Sequence, residues 1–222
     1  MTRALTLALL TLLTSSAAAV EPLAIQDNSF LIEEAYNQER GVVQHIFTLT
    51  RGVNTFTQEW PGGGQAHQLS YTAPFGHGAG DVLINYRYQL VGSGESRIAV
   101  APRISAILPT ANHRGVDVNL PVSVAVSNRV VTHWNAGATA VRGERTVWSG
   151  GASVIWAAWP LVHFTVENRW TSDAKWTVAP GIRWAHNLRH NLQIVPGVAL
   201  PISPDHRRAV FAYLSFEHPF TK

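Results

Sequence analysis

The sequence predicts an all-β protein, an antiparallel up-and-down transmembrane β-barrel of about twelve strands. Three observations carry that prediction. Apolar and polar residues alternate with period two over most of the chain, which puts one apolar and one polar face on each strand. The runs have the length at which tilted strands of about 9–11 residues cross the hydrocarbon of a bilayer. The eight tryptophans, Trp60, Trp134, Trp148, Trp156, Trp159, Trp170, Trp176 and Trp184, fall mostly near the ends of the runs, as interfacial aromatic girdles do. The opposite arrangement, a soluble sandwich or barrel with its apolar faces turned inward, has the same periodicity and is the competing expectation.

Met1–Ala19 reads as an export signal: Arg3 supplies the positive start, Ala4–Leu13 the apolar stretch, and Ala17-Ala18-Ala19 the small residues of a cleavage site. That stretch is too short for a spanning helix. Residues 20–40 form an acidic N-terminal segment, with Glu21, Asp27, Glu33, Glu34 and Glu39 against Arg40, and are expected to act as a strap or plug that pairs with arginines inside the barrel. The alternative is a leader lying on the surface. The only trace of helical periodicity falls here, around Phe30 to Asn37.

Residues 41–222 are expected to form the barrel. Three weaker strands come first, over 42–50, 55–60 and 67–73, the last two punctuated by Pro61-Gly62-Gly63-Gly64. Nine regular ones follow, over 81–90, 97–108, 116–124, 134–140, 148–156, 162–169, 175–184, 192–200 and 210–217. Turn residues separate them at Gly92-Ser93-Gly94, Asn112–Gly115, Ser127-Asn128, Arg142-Gly143-Glu144, Trp159-Pro160, Thr171-Ser172-Asp173, His186-Asn187-Leu188 and Ser203-Pro204-Asp205. Pro102, Pro121, Pro180 and Pro196 fall inside strands and predict bulges or kinks, since proline has no N–H for the ladder. Ala101-Pro102-Arg103-Ile104, Ala179-Pro180-Gly181-Ile182 and Val195-Pro196-Gly197-Val198 place a proline in similar contexts, a hairpin-level repeat that the alternation alone does not explain.

Composition narrows the function. With no cysteine there is no disulfide framework, thiolate metal site or cysteine nucleophile. A net charge of +3 is too small to point to nucleic acid. No cofactor or metal site is expected: His186 and His190 are four apart but flank a turn, and Asn187 stands where a zinc-binding helix would carry Glu. Ser153, His163 and Glu167 share the polar face of adjacent strands and imitate a hydrolase triad, but no Gly-x-Ser-x-Gly elbow accompanies them, so catalysis is not expected.

Glu33–Glu39 with Gly41–Ile46, then Gly80–Tyr88, Ala106–Thr110 and Thr132–Thr139, resemble outer-membrane transporters of the MetA-pathway of phenol degradation family. The resemblance spans most of the mature chain and its motifs are structural. It implies an outer-membrane β-barrel passing small solutes, among them hydrophobic or aromatic compounds, and supplies no catalytic residues. Ala111 stands where similar proteins often have Gly after Pro-Thr.

The functional candidates are therefore the inward polar residues, with Arg87, Arg103, Asp117, Glu167, Arg169 and Arg183 foremost as lumen lining and solute pathway. Six basic residues face inward (these four arginines with Arg97 and Lys175) against five acidic ones (Glu59, Asp81, Asp117, Glu167 and Glu217), so 6 − 5 leaves the lumen nearly neutral. A polar constriction that selects solutes and an ion-pair network that fills a narrow barrel both fit this pattern. The expected partners are outer-membrane lipid, small-molecule solutes and the barrel insertion machinery. Barrels recognised by that machinery often end on an aromatic residue, and Phe220 is two residues short of the end. A structural barrel without transport, or a barrel lipid hydrolase, are the remaining alternatives.

Overall fold

The computed structural model of the 222-residue chain describes residues 29–76, 80–108, 114–188, 192–204 and 210–219. The expected export signal, the acidic segment as far as residue 28, Asn112-His113, His190, Asp205 and Phe220 lie outside the described residues, as does the side chain of Lys175.

The strands are β1 (Val42–Leu49), β2 (Asn54–Pro61), β3 (His67–Phe75), β4 (Val82–Tyr88), β5 (Ile98–Val100), β6 (Arg103–Leu108), β7 (Gly115–Ser127), β8 (Val130–Val141), β9 (Val147–Trp159), β10 (Val162–Thr171), β11 (Lys175–Trp184), β12 (His186–Asn187), β13 (Gln193–Ala199) and β14 (Phe211–Pro219). All fourteen belong to one sheet, and every pairing is antiparallel. β5 and β6 are one crossing interrupted at Ala101-Pro102, and β11 and β12 one crossing interrupted at Ala185, so 14 − 2 gives twelve crossings. The barrel closes where the last strand meets the first, in a ladder from Val42↔Pro219 to Leu49↔Ala212. Closure leaves no edge to satisfy, which is the condition for a sheet inside a membrane.

The prolines act differently from one another. At Pro102 the ladder breaks, although Tyr88 N–H still reaches the Pro102 carbonyl and Ala101 N–H the Pro121 carbonyl. At Pro180 the regular β11–β13 ladder stops at Gly181↔Ala199 and resumes as a single bridge, Val178↔Ile202. Pro121 and Pro196 stay within their strands.

The two faces settle the choice between membrane and soluble barrels. Ile104, Val154 and Val166 stand about half exposed on the outside, at 50%, 48% and 53%. Gln44, Gln68, Ser105, Ser123, Ser153 and Ser215 are buried inside. A soluble fold has the reverse arrangement; this one suits a lipid exterior and a polar lumen. Trp148, Trp170 and Trp176 lie toward one rim, and Trp60, Trp156, Trp159 and Trp184 toward the rim that holds the start of β1 and the end of β14. These are the two girdles. No helix occurs among the described residues, and residues 29–40 are irregular, with bends at 30–32 and 35, rather than helical.

Candidate functional site

The site is the lumen together with the chain segment that runs through it. Residues 29–40 have almost no backbone hydrogen bonds to a neighbouring strand. Their amides and carbonyls are instead met by side chains of the inner wall, as buried backbone groups must be met by some partner. Phe30 N–H donates to Glu167 Oε1 at 2.7 Å, and the Leu31 and Ile32 N–H groups donate to Glu167 Oε2 at 2.6 and 2.9 Å. Asn135 clamps Glu33 from both sides: Oδ1 accepts its N–H at 2.8 Å, and Nδ2 donates to its carbonyl at 2.7 Å. Ala35 N–H donates to Ser123 Oγ, Gln89 bonds both the Ala35 carbonyl and the Asn37 N–H, and Gln68 Oε1 accepts the Gln38 N–H at 2.6 Å.

Side chains of the segment fit recesses in the wall. Phe30 packs with Ile46, Ala179, Ala199 and Tyr213, edge-on to Tyr213 and Phe211 at centroid distances of 5.9 and 5.6 Å. The floor under Phe30 is Gly181 and Gly197: a Cβ at Gly181 would lie 2.6 Å from Phe30 Cε2, and one at Gly197 3.0 Å from Phe30 Cζ. A Cβ at Gly151 would collide with Ile32 Cδ1. The repeated Pro-Gly motif of β11 and β13 is thus accounted for by its glycines, which make one socket for one aromatic ring. Further along, Ala35 packs on Ala99 and Ala101, and the Tyr36 ring lies edge-on to His133.

Charge gathers around Glu33. Arg103 Nε donates to Glu33 Oε2 at 2.9 Å, and Asn119 Nδ2 donates to the same oxygen at 2.7 Å. Arg87 Nη1 stands 3.8 Å from Glu33 Oε1 and donates to the Glu34 carbonyl at 2.7 Å. Each arginine also has an acid of the wall: Glu59 is 3.6 Å from Arg87, and Asp117 is 2.8 Å from Arg103. Thr139 Oγ1 donates to the other Asp117 oxygen. Arg103 Nη1 also donates to Ser105 Oγ and to Asn85 Oδ1. Glu33 belongs to no spanning strand; burial opposes its charged form, but the Arg103 and Arg87 guanidiniums outweigh burial and hold its carboxyl below the ordinary value.

The six sequence candidates therefore divide into three groups. Arg87 and Arg103 converge on Glu33, and Asp117 pairs with Arg103 beside it. Glu167 and Arg183 hold the stretch around Phe30, the Arg183 guanidinium lying 5.6 Å from the Phe30 ring centre and 5.1 Å from that of Tyr213. Arg169 lines an open cavity of about 200 Å³ with Arg103, Asp117, Asn119, Asn135 and Ser149. Arg97 lies exposed at a turn rather than within a strand. A second cavity, of about 250 Å³, lies between Phe30 and the wall residues Thr48, Thr57, Thr72, Phe211 and Tyr213. Ser153, His163 and Glu167 form no relay: the Glu167 carboxylate is taken by three amides, and Ser153 Oγ and His163 Nε2 have no hydrogen-bond partner.

Sequence reasoning missed the clamps, Asn135, Asn119, Gln68, Gln89 and Ser123, and the glycine sockets. The available signal was position: each lies on the inward face of its alternating strand or at its end, where a long amide side chain can reach the axis of a narrow barrel.

Fold and lumen together define a closed membrane barrel with an internal chain segment. Among solved structures the chain is similar to the KdgM porin, with a TM-score of 0.61 and 8% sequence identity over 81% of this chain and 99% of that one. The same porin in complex with disordered oligogalacturonate gives a TM-score of 0.60 at 8% identity, with the same coverage. The NanC porin gives 0.58 at 9% identity, over 82% of this chain and 99% of that one. At such identities the likeness is one of fold. No protein-family model and no curated protein matches the chain.

Proposed function

We propose that the protein is a channel of the bacterial outer membrane for small solutes, closed in this state by residues 29–40. The observation that carries this reading is the threading of that segment through the lumen, with Glu167 on three of its amides and glycine sockets under Phe30 and Ile32. The lipid-facing apolar belt and the similarity to porin folds support the membrane setting. The strand ends that carry the termini face the periplasm, and insertion depends on the cellular machinery for such barrels. Arg87, Arg103, Asp117, Glu167, Arg169 and Arg183 line the route and take no part in catalysis.

Small aromatic compounds belong among the solutes. The resemblance to the phenol degradation family supports this, and so does the wall patch of Ile46, Phe211 and Tyr213 that accepts the Phe30 ring.

The test is single-channel conductance in planar bilayers. The full chain is expected to conduct weakly, and a variant lacking Glu21–Gln38 is expected to conduct strongly. A second reading, a structural barrel without transport, is favoured by the close fit of Phe30 and Ile32 to their glycine sockets. Equal, negligible conductance for both proteins selects it.

A further inference from the structure

We infer that Arg87, Arg103 and Asn119 form a carboxylate-binding site of the lumen, that Glu33 is its resident occupant, and that the solute admitted in its place is a small organic acid. This inference rests on the channel reading above and names its solute class.

The argument begins with what Glu33 receives. Its Oε2 takes one N–H from Arg103 Nε at 2.9 Å and one from Asn119 Nδ2 at 2.7 Å, and its Oε1 faces Arg87 Nη1 at 3.8 Å. Donors from three separate strands, β4, β6 and β7, meet on one carboxylate that arrives from outside the barrel wall. The wall does not need Glu33 for charge balance. Arg87 has Glu59 at 3.6 Å and Arg103 has Asp117 at 2.8 Å, so two cations already face two anions. If residues 29–40 withdraw, the group left behind is close to neutral but rich in unmet N–H donors. Such a site selects by geometry rather than by surplus charge. A planar carboxylate, which accepts from several N–H groups at once, meets these donors. Chloride offers no such shape, and a doubly charged oxyanion would face Asp117 at close range.

Access comes from the open side. The cavity of about 200 Å³ that touches Glu33, Arg103 and Asn119 also touches Arg169, which among the described residues has no strand acid in an ion pair and interacts electrostatically with Asp173 of the turn between β10 and β11. An acid entering by that cavity meets Arg169 first and the Glu33 carboxylate second. Solute and Glu33 then compete for the same N–H groups, which couples entry of the acid to loosening of the segment.

Acetate is the probe. In the full-length Glu33→Ala variant, acetate is expected to raise the folded-to-unfolded ratio on heating in detergent by roughly tenfold over chloride at equal ionic strength, the size of one charge-assisted hydrogen bond. Acetate should leave the wild type unchanged, because Glu33 fills the site. Adding Arg103→Ala to the variant should abolish the response. If Glu33→Ala does not fold unaided, refolding yield from denaturant in acetate against chloride gives the same reading. No acetate effect, or an equal effect on the wild type, overturns the site.

Uptake of benzoate against benzyl alcohol by vesicles containing the wild type, each counted only in excess of uptake by protein-free vesicles, separates this inference from the channel reading. Faster benzoate uptake supports both. Acetate rescue without uptake of either compound leaves the site standing and overturns both the channel and the solute class. Equal uptake of the two compounds without rescue leaves the channel standing and overturns the site.

Discussion

At the scale of single residues, the glycines of the inner wall carry as much information as the charges. Gly181 has Phe30 Cε2, Thr165 Oγ1 and Ala199 Cβ around the place a Cβ would occupy. Gly181→Val should push Phe30 out of its socket, loosen residues 29–33 and raise conductance, while the barrel itself still inserts. Combining it with Phe30→Ala should restore part of the closed state, because the smaller side chain makes room for the larger wall. Phe30→Ala alone should weaken docking of the segment by about 3 kcal/mol, the lower end for loss of a buried phenyl ring. Conductance of the three variants checks this: additive effects of the two changes would mean that the contact does not hold the segment.

Glu33 makes the closed state sensitive to acid. Its carboxyl is held below the ordinary value of 4.5 by Arg103 and Arg87, against burial. A group whose value is lowered by folding contributes its stabilisation above the ordinary value and loses it as pH falls through the lowered one. Conductance should therefore be flat above pH 4.5 and rise only on acidification well below it. Glu33→Gln should remove that part of the acid response. The neighbouring acids Glu59 and Asp117, each paired to the same arginines, remain to titrate in the variant, so the comparison isolates Glu33.

At the scale of elements, the strands were legible and the conformation of residues 29–40 was not. Period-two patterning located the crossings because lipid on one side and a polar lumen on the other impose one rule on every strand. Where the rule met a second constraint, the reading was partial. Pro102 coincides with a break between β5 and β6, whereas Pro121 sits within β7 with its strand intact. Residues 29–40 follow no repeating environment. Phe30, Ile32 and Ala35 meet apolar sockets, Glu33 meets arginines, and the backbone between them meets Glu167, Asn135 and Gln68. The backbone partners Glu167, Asn135 and Gln68 lie 30 to 137 positions away in the chain, so no local pattern encodes them. The faint helical periodicity around Phe30 to Asn37 comes from apolar residues whose spacing matches wall recesses, not from a helix face. The charged site was legible as a set of inward arginines and acids. Its organisation around Glu33 required the register of β4, β6 and β7, where Arg87 stands opposite Arg103 and Arg103 opposite Asn119.

At the scale of the whole molecule, the barrel is stable only in a medium that accepts its exterior. Val154 faces outward near the middle of β9, whereas Trp148 faces outward close to the strand's far rim. In a membrane the cost of a cation depends on depth: about 2–4 kcal/mol for arginine at the midplane, falling to about 0–1 kcal/mol near the interfaces. Val154→Arg should therefore destabilise the folded barrel by about 3 kcal/mol in lipid vesicles. Trp148→Arg should cost less than half of that for the charge, although it also removes one girdle indole. Reversible denaturant unfolding in vesicles measures both, and Trp148→Phe supplies the reference for the lost indole. A steep difference between the two arginines places the belt at membrane depth, with the polar lumen and its threaded segment enclosed by it. Equal costs would mean that the exterior does not sample a hydrocarbon gradient, and the outward apolar face would then need a protein partner rather than lipid to cover it.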